Sequence, residues 1–121
     1  MLKKRIASFV YAGRGVVTLL KTQTNAKIHL LATVLVIICG FAFGVTKTEW
    51  CLLTLSIGLV LAAEALNTAI EFAVDLASPE QHELAKNAKD VAAGGVLLSA
   101  IAAAVVALFV FGPHFWTLLS P

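Results

Sequence analysis

Charge is scarce in this chain. Of its 121 residues only 13% are Asp, Glu, Lys or Arg, while 60% are hydrophobic. A soluble domain carries roughly a quarter of charged residues, so the composition excludes an ordinary water-soluble fold. Cysteine is nearly absent. Cys39 and Cys51 both lie in apolar runs and lack the spacing of metal ligands, so they read as small hydrophobes inside membrane helices. There is no G-x-x-x-x-G-K-[ST] loop, which excludes a P-loop kinase, and Gly13-x-Gly15 alone is too little to make a phosphate cradle. No apolar region with a small-residue cleavage site closely follows the basic start, so a secretory signal peptide is not expected. Internal repeats and low-complexity linkers are also missing, and the length suits one domain, 1–121. The net charge of +2 says little by itself, and nothing points to nucleic acid.

What is present is three apolar stretches: Ile28 to Val45, Trp50 to Ala63 and Val91 to Gly112. The third has no charge at all and is long enough to cross a bilayer as a helix. The helical pattern of the second continues to Ala77, where Pro79 stops it. The expected spans are residues 28–46, 49–77 and 83–112, with Pro113 ending the last. Residues 3–22 form an amphipathic surface helix. Ile6, Phe9, Val10, Val17 and Leu20 fall near one stripe, and Lys4, Ser8, Tyr11, Gly15 and Thr18 on another.

Lysine and arginine are unevenly spread. Lys3, Lys4, Arg5, Arg14, Lys21 and Lys27 precede span one, Lys47 alone separates spans one and two, and Lys86 and Lys89 separate spans two and three. Alternate segments therefore carry eight against one, which places the N-terminus and second loop in the cytoplasm and the C-terminus outside. Span three is rich in small residues, from Ala92, Ala93, Gly94 and Gly95 to Ala107, which lets helices approach closely in lipid. Three spans offer little room to hide acids, so a homo-oligomer is expected.

Those acids lie in "EALNTAIEFAVD", Glu64 to Asp75. On a helix, with Glu64 as zero, Asn67 falls at about −60°, Glu71 at about −20° and Asp75 at about +20°. They share one stripe, and the intervening residues are apolar except Thr68. Trp50 to Ala63 rises about 21 Å of a roughly 30 Å hydrocarbon core, so Glu64 sits near the cytoplasmic boundary and the stripe runs from lipid into water. Ionisable groups within a span default to function. Lys86, Lys89 and Asp90 open the next helix on the same side, and His29 begins the first span. Two acids with an imidazole can hold Mg²⁺ and phosphate oxygens, and a lysine can neutralise a transferring phosphoryl group. A proton-carrying ring subunit accounts for Glu64 but not for its neighbours, and a small assembly scaffold with no chemistry is a third reading, favoured if no lipid gives an ATP-dependent product.

"EALNTAIEFAVDL" followed by "SPEQHELAKNAKDVAAGGVLL" resembles the small prokaryotic membrane kinases of the diacylglycerol kinase and undecaprenol kinase family. The pattern E-x-x-N-[ST]-A-I-E-x-x-x-D is matched in full, as is the later A-K-D, and "KTQTNAKIHL" and "TEW" extend the likeness over nearly the whole chain. His29 stands where the diacylglycerol branch tends to carry a glutamate, so the undecaprenol branch is favoured. Gln23, Lys27 and Gly95 depart from that branch's usual acid, arginine and alanine. The resemblance implies an all-α homotrimer in the cell membrane that phosphorylates a lipid alcohol, undecaprenol or alternatively diacylglycerol, with ATP and Mg²⁺. It implies that Glu64 is the general base towards the lipid hydroxyl and that Asn67 supports it. Glu71 and His29 would hold the ATP-bound magnesium. Lys89, Asp90, Glu80, Gln81 and His82 would contact the nucleotide, with Lys4 and Tyr11 closing over it.

Overall fold

The computed structural model describes all residues, Met1–Pro121, as four α-helices and no strand. They are α1 (Leu2–Thr22), α2 (Thr24–Phe43), α3 (Lys47–Ala77) and α4 (Glu83–Leu119). Helices α2, α3 and α4 are each long and apolar enough to cross a membrane, and α4 packs chiefly against α3. At 1.5 Å per residue α3 and α4 reach about 46 Å and about 55 Å, well beyond a 30 Å hydrocarbon layer. The surplus length of α3 carries the acidic stripe.

A single residue separates α1 from α2. Gln23 is extended (φ −110°, ψ 115°), and its N–H still donates to the Leu19 carbonyl at 3.0 Å. The polar run around it gives the chain no apolar face to continue in the same direction. Helix α2 therefore starts at Thr24, earlier than the expected 28, because polar residues satisfy a first helical turn as well as apolar ones do.

Helix α2 ends at Phe43, before the expected 46, because Gly44 takes the left-handed conformation (φ 62°, ψ 46°). Only glycine adopts that conformation without a Cβ penalty. The Val45 N–H then reaches back to the Gly40 carbonyl at 3.1 Å, closing a Schellman-type end. Two residues after the glycine, Thr46 caps α3 in a reciprocal box. Its Oγ1 accepts from the Glu49 N–H at 3.2 Å, and Glu49 Oε2 accepts from the Thr46 N–H at 2.8 Å. That cap draws the start of α3 to Lys47, two residues before the expected 49.

The core is small and lies at this end of the bundle. Val45, Leu53, Val110 and Phe111 are buried together. Phe43 meets the edge of Phe115 at 4.8 Å and the His114 ring at 5.6 Å between centroids. Gly40 lies directly under the Trp50 indole, where any Cβ would collide with the ring.

Pro113 does not end the last helix. It sits inside α4, which runs on to Leu119 rather than stopping at 112. The residue before a proline normally resists helical geometry because its Cβ meets the pyrrolidine ring, but here that residue is Gly112. Beyond it, His114 lies 3.5 Å from Glu49 and Phe115 is held by Phe43, so contacts with α2 and α3 anchor the extra turns.

Only 13 residues are buried, and the accessible surface is 9050 Å². A compact soluble chain of this mass exposes roughly 6,300 Å². The excess is apolar side chain: Leu30, Leu31, Leu55, Leu59, Leu97 and Leu98 are all exposed on the three long helices. Four of the buried residues are polar, and three of those, Glu64, Asn67 and Thr68, are neighbours on α3.

Candidate functional site

Each member of the α3 stripe meets a different partner. Glu64 is 2% exposed and is the largest fully buried side chain of the molecule. Its Oε1 lies 3.3 Å from His29 Nε2 on α2, close enough for an ion pair. The two groups are not aligned as a hydrogen bond, so that buried oxygen has no hydrogen-bond partner. A buried carboxylate without a well-made partner is costly. Glu64 is thus held beside an imidazole and remains open to a further donor.

One turn further on, the Asn67 Nδ2 donates to Glu71 Oε1 at 3.3 Å. That bond uses the amide nitrogen and leaves the buried Asn67 Oδ1 unpartnered. Glu71 is half-buried. Asp75, at the end of the stripe, is paired with Lys89 of α4 across the turn. Lys86 pairs instead along its own helix with Asp90, at 2.7 Å. The stripe is therefore one face in sequence but three environments in space: an imidazole above, an amide in the middle and a lysine below.

The α3–α4 turn is built by its own polar residues. Ser78 Oγ donates to the Glu80 carbonyl at 3.0 Å, and His82 Nδ1 caps α4 by accepting from the Leu84 N–H at 3.1 Å. Asp75, Glu80, Gln81, His82, Lys86 and Lys89 line a groove of about 620 Å³ beside it. That volume suits a small-molecule site. Both ammonium groups of the groove suit phosphate oxygens.

Helix α1 contributes less than its sequence suggests. Lys4 and Tyr11 are exposed, and neither hydrogen-bonds to the α3 acids. Arg14 lies over the Tyr11 ring at 5.9 Å. Leu19 alone is buried and ties the helix down.

No three His, Cys, Asp or Glu side chains converge as a metal cluster. His29 makes its ion pair with Glu64 and makes none with Glu71. Magnesium, however, is usually held by one or two carboxylates together with substrate phosphates rather than by an all-protein cage. Glu71 and the unpartnered Asn67 Oδ1 are hard oxygen donors and fit that limited role, whereas the imidazole of His29 is directed elsewhere.

One further polar residue borders the stripe. Thr68 is 4% exposed and its Oγ1 has no partner. Its signal was its place as the one polar exception among the apolar residues between the acids.

The family described as prokaryotic diacylglycerol kinase matches residues 10–111. An undecaprenol kinase of Bacillus subtilis (strain 168) is 42% identical over 93% of this chain and 91% of its own length. A diacylglycerol kinase of Synechocystis is 45% identical over 84% of this chain, which spans 58% of that relative. A diacylglycerol kinase of Haemophilus influenzae is 34% identical over 78% of this chain and 80% of its own length. A buried acid beside an imidazole, a charged groove at the same end of α3 and these likenesses converge: the chain belongs to the prokaryotic diacylglycerol kinase family and is a membrane lipid kinase.

Proposed function

We propose that the protein transfers the γ-phosphoryl group of ATP to the hydroxyl of undecaprenol, giving undecaprenyl phosphate and ADP. The observation that carries the reading is Glu64: a buried carboxylate with an unpartnered oxygen, 3.3 Å from His29 and on the same helix face as a charged groove. The lipid oxygen attacks the γ-phosphorus, its proton passes to Glu64, and the bond from that phosphorus to the ADP oxygen breaks. His29 positions the carboxylate through their 3.3 Å approach. Such transfers depend mostly on alignment and charge stabilisation.

Glu71 would hold Mg²⁺ together with the ATP phosphates, and the ion would supply charge neutralisation there. Asn67 supports Glu71 through its amide and offers its free carbonyl oxygen to the same site. Lys89 and Asp90 serve the phosphates, and Glu80, Gln81 and His82 the nucleotide. Lys4 and Tyr11, exposed on α1, close over the nucleotide when it binds. Helix α1 lies on the cytoplasmic surface as an amphipathic element, with the α3–α4 turn on the same side and the C-terminus outside. The lysine and arginine distribution supports that orientation.

The reading takes the protein to be a homotrimer. The large exposed apolar surface and the small core leave the faces of α2, α3 and α4 available to lipid and to other copies. The acceptor rests on the undecaprenol kinase relative, whose likeness extends over 91% of that protein. Diacylglycerol is the second reading, since the other relatives quoted carry that name. Purified protein with labelled ATP, given undecaprenol and diacylglycerol in parallel, separates the two. Strong turnover of diacylglycerol alone overturns the choice.

A further inference from the structure

The end of α3 opposite the acid stripe carries a charged contact that the kinase reading does not use. His114 Nε2 of α4 lies 3.5 Å from Glu49 Oε2 of α3. The same Glu49 oxygen accepts from the Thr46 N–H at 2.8 Å. One carboxylate oxygen therefore serves two elements: it closes the capping box at the start of α3, and it faces the imidazole of α4. The two side chains are only 28% and 26% exposed, so water screens them in part. The family match stops at residue 111, so His114 belongs to a part of the chain outside it.

The last turns of α4 depend on such side-chain ties. Pro113 has no N–H to give, so the hydrogen-bond ladder lacks one bond immediately before them. Trp116, Leu118 and Leu119 are exposed. Two residues hold the segment back: Phe115 against Phe43, at 4.8 Å between centroids, and His114, which meets both Phe43 at 5.6 Å and Glu49. Of these groups the imidazole is the one whose charge ordinarily changes between pH 5 and 8.

The surroundings of His114 give the sign of the effect. Helix α2 presents Phe43 and has no charged side chain from Leu30 to its end. Helix α4 has no Asp, Glu, Lys or Arg from Val91 onward. Helix α3 brings Glu49 and, two residues earlier, the exposed Lys47, which pairs with neither. The thiols of this end lie apart, Cys39 packed on the core cluster and Cys51 exposed. The carboxylate is thus the charge that His114 meets. An imidazolium is attracted to it and to the Phe43 ring, whereas a neutral imidazole gains much less from either.

We propose that His114, Glu49 and the Thr46 N–H form a pH-sensitive clasp that fastens the last turns of α4 to the α2–α3 link, tight when His114 is protonated and loose when it is neutral. The clasp goes beyond the kinase reading and stands whichever way the chain is inserted. In the orientation proposed above, the medium it reads is the external one.

The test is amide hydrogen exchange of residues 115–119 in the full-length protein in detergent, at pH 5.5 and pH 8, with the intrinsic pH dependence of exchange divided out. In the wild type these amides are about threefold to fivefold better protected at pH 5.5, as suits a half-shielded ion pair. His114→Phe keeps a ring against Phe43 and loses the pH dependence. Glu49→Gln loses it too, while its amide oxygen still caps α3, so protection of residues 50–53 stays as in the wild type. Equal protection at the two pH values in the wild type, better protection at pH 8, or a pH dependence that survives in either variant overturns the inference. The readout does not involve the acceptor lipid, so it is unaffected if the kinase reading fails, and its own failure leaves that reading intact.

Discussion

His29 and Glu64 are brought within 3.3 Å by two different helices, and the oxygen that faces the imidazole has no other partner. Replacing Glu64 by Gln keeps the volume and removes the proton acceptor. Lipid phosphorylation by Glu64→Gln is expected to fall at least about 100-fold, with thermal unfolding in detergent close to wild type. Near-normal turnover by folded protein would remove Glu64 from the role of base.

The same pair has a stability consequence. His29→Leu leaves a buried carboxylate with no partner, at a cost of about 1–3 kcal/mol. The double variant His29→Leu/Glu64→Leu replaces both groups by apolar ones and recovers most of that loss while remaining inactive. Denaturation of the three proteins in one detergent checks this, and additive losses would mean that the two side chains are not coupled.

Lys89 and Asp75 pair across the α3–α4 turn, but their side chains remain 40% and 63% exposed. A pair so wet couples by less than about 1 kcal/mol. Lys89→Ala and Asp75→Asn are therefore expected to unfold near the wild-type temperature. Their activities differ: Lys89→Ala loses about 100-fold in kcat through lost phosphate contact, and Asp75→Asn loses much less. Equal losses would mean that the pair acts as a structural clasp.

At the opposite end of the bundle Gly40 packs against the Trp50 indole without room for a Cβ. Gly40→Ala is expected to destabilise by about 1–3 kcal/mol through overpacking. Trp50→Leu in the same chain relieves the collision and restores part of the loss. A thermal midpoint that does not fall in Gly40→Ala would show that the indole moves aside freely.

Pro113 interrupts the hydrogen-bond ladder of a helix that continues regardless. Pro113→Ala returns an N–H donor and is expected to stabilise the fold, by up to about 3 kcal/mol. A fall in unfolding temperature would show that the aromatic contacts of Phe43 depend on the proline geometry.

Much of the architecture was legible in the chain because lipid makes one demand, a long apolar run, and that demand is local. The stripe from Glu64 to Asp75 was legible for a similar reason: helical period alone puts those side chains on one face. What the stripe touches was not legible. That Glu64 meets His29, and Asp75 meets Lys89, depends on how three helices cross, and no local signal sets that. The last turns of α4 escaped for a related reason. Pro113 is a stop signal judged by itself, and its override by Gly112, Glu49 and Phe43 is tertiary. Thr68 was visible as an odd residue, but the burial of its unpartnered hydroxyl depends on how the helices pack.

The link between α2 and α3 is only Gly44, Val45 and Thr46, and both helix ends there are capped and packed on aromatic rings. The pair is built like tongs riveted at one tip. Any splaying of α2 from α3 grows with distance from the rivet. His29 sits fifteen residues away from Gly44, or about 22 Å along the helix. Small angular play at the rivet thus becomes ångström-scale travel of the imidazole over Glu64, while the riveted tip hardly moves.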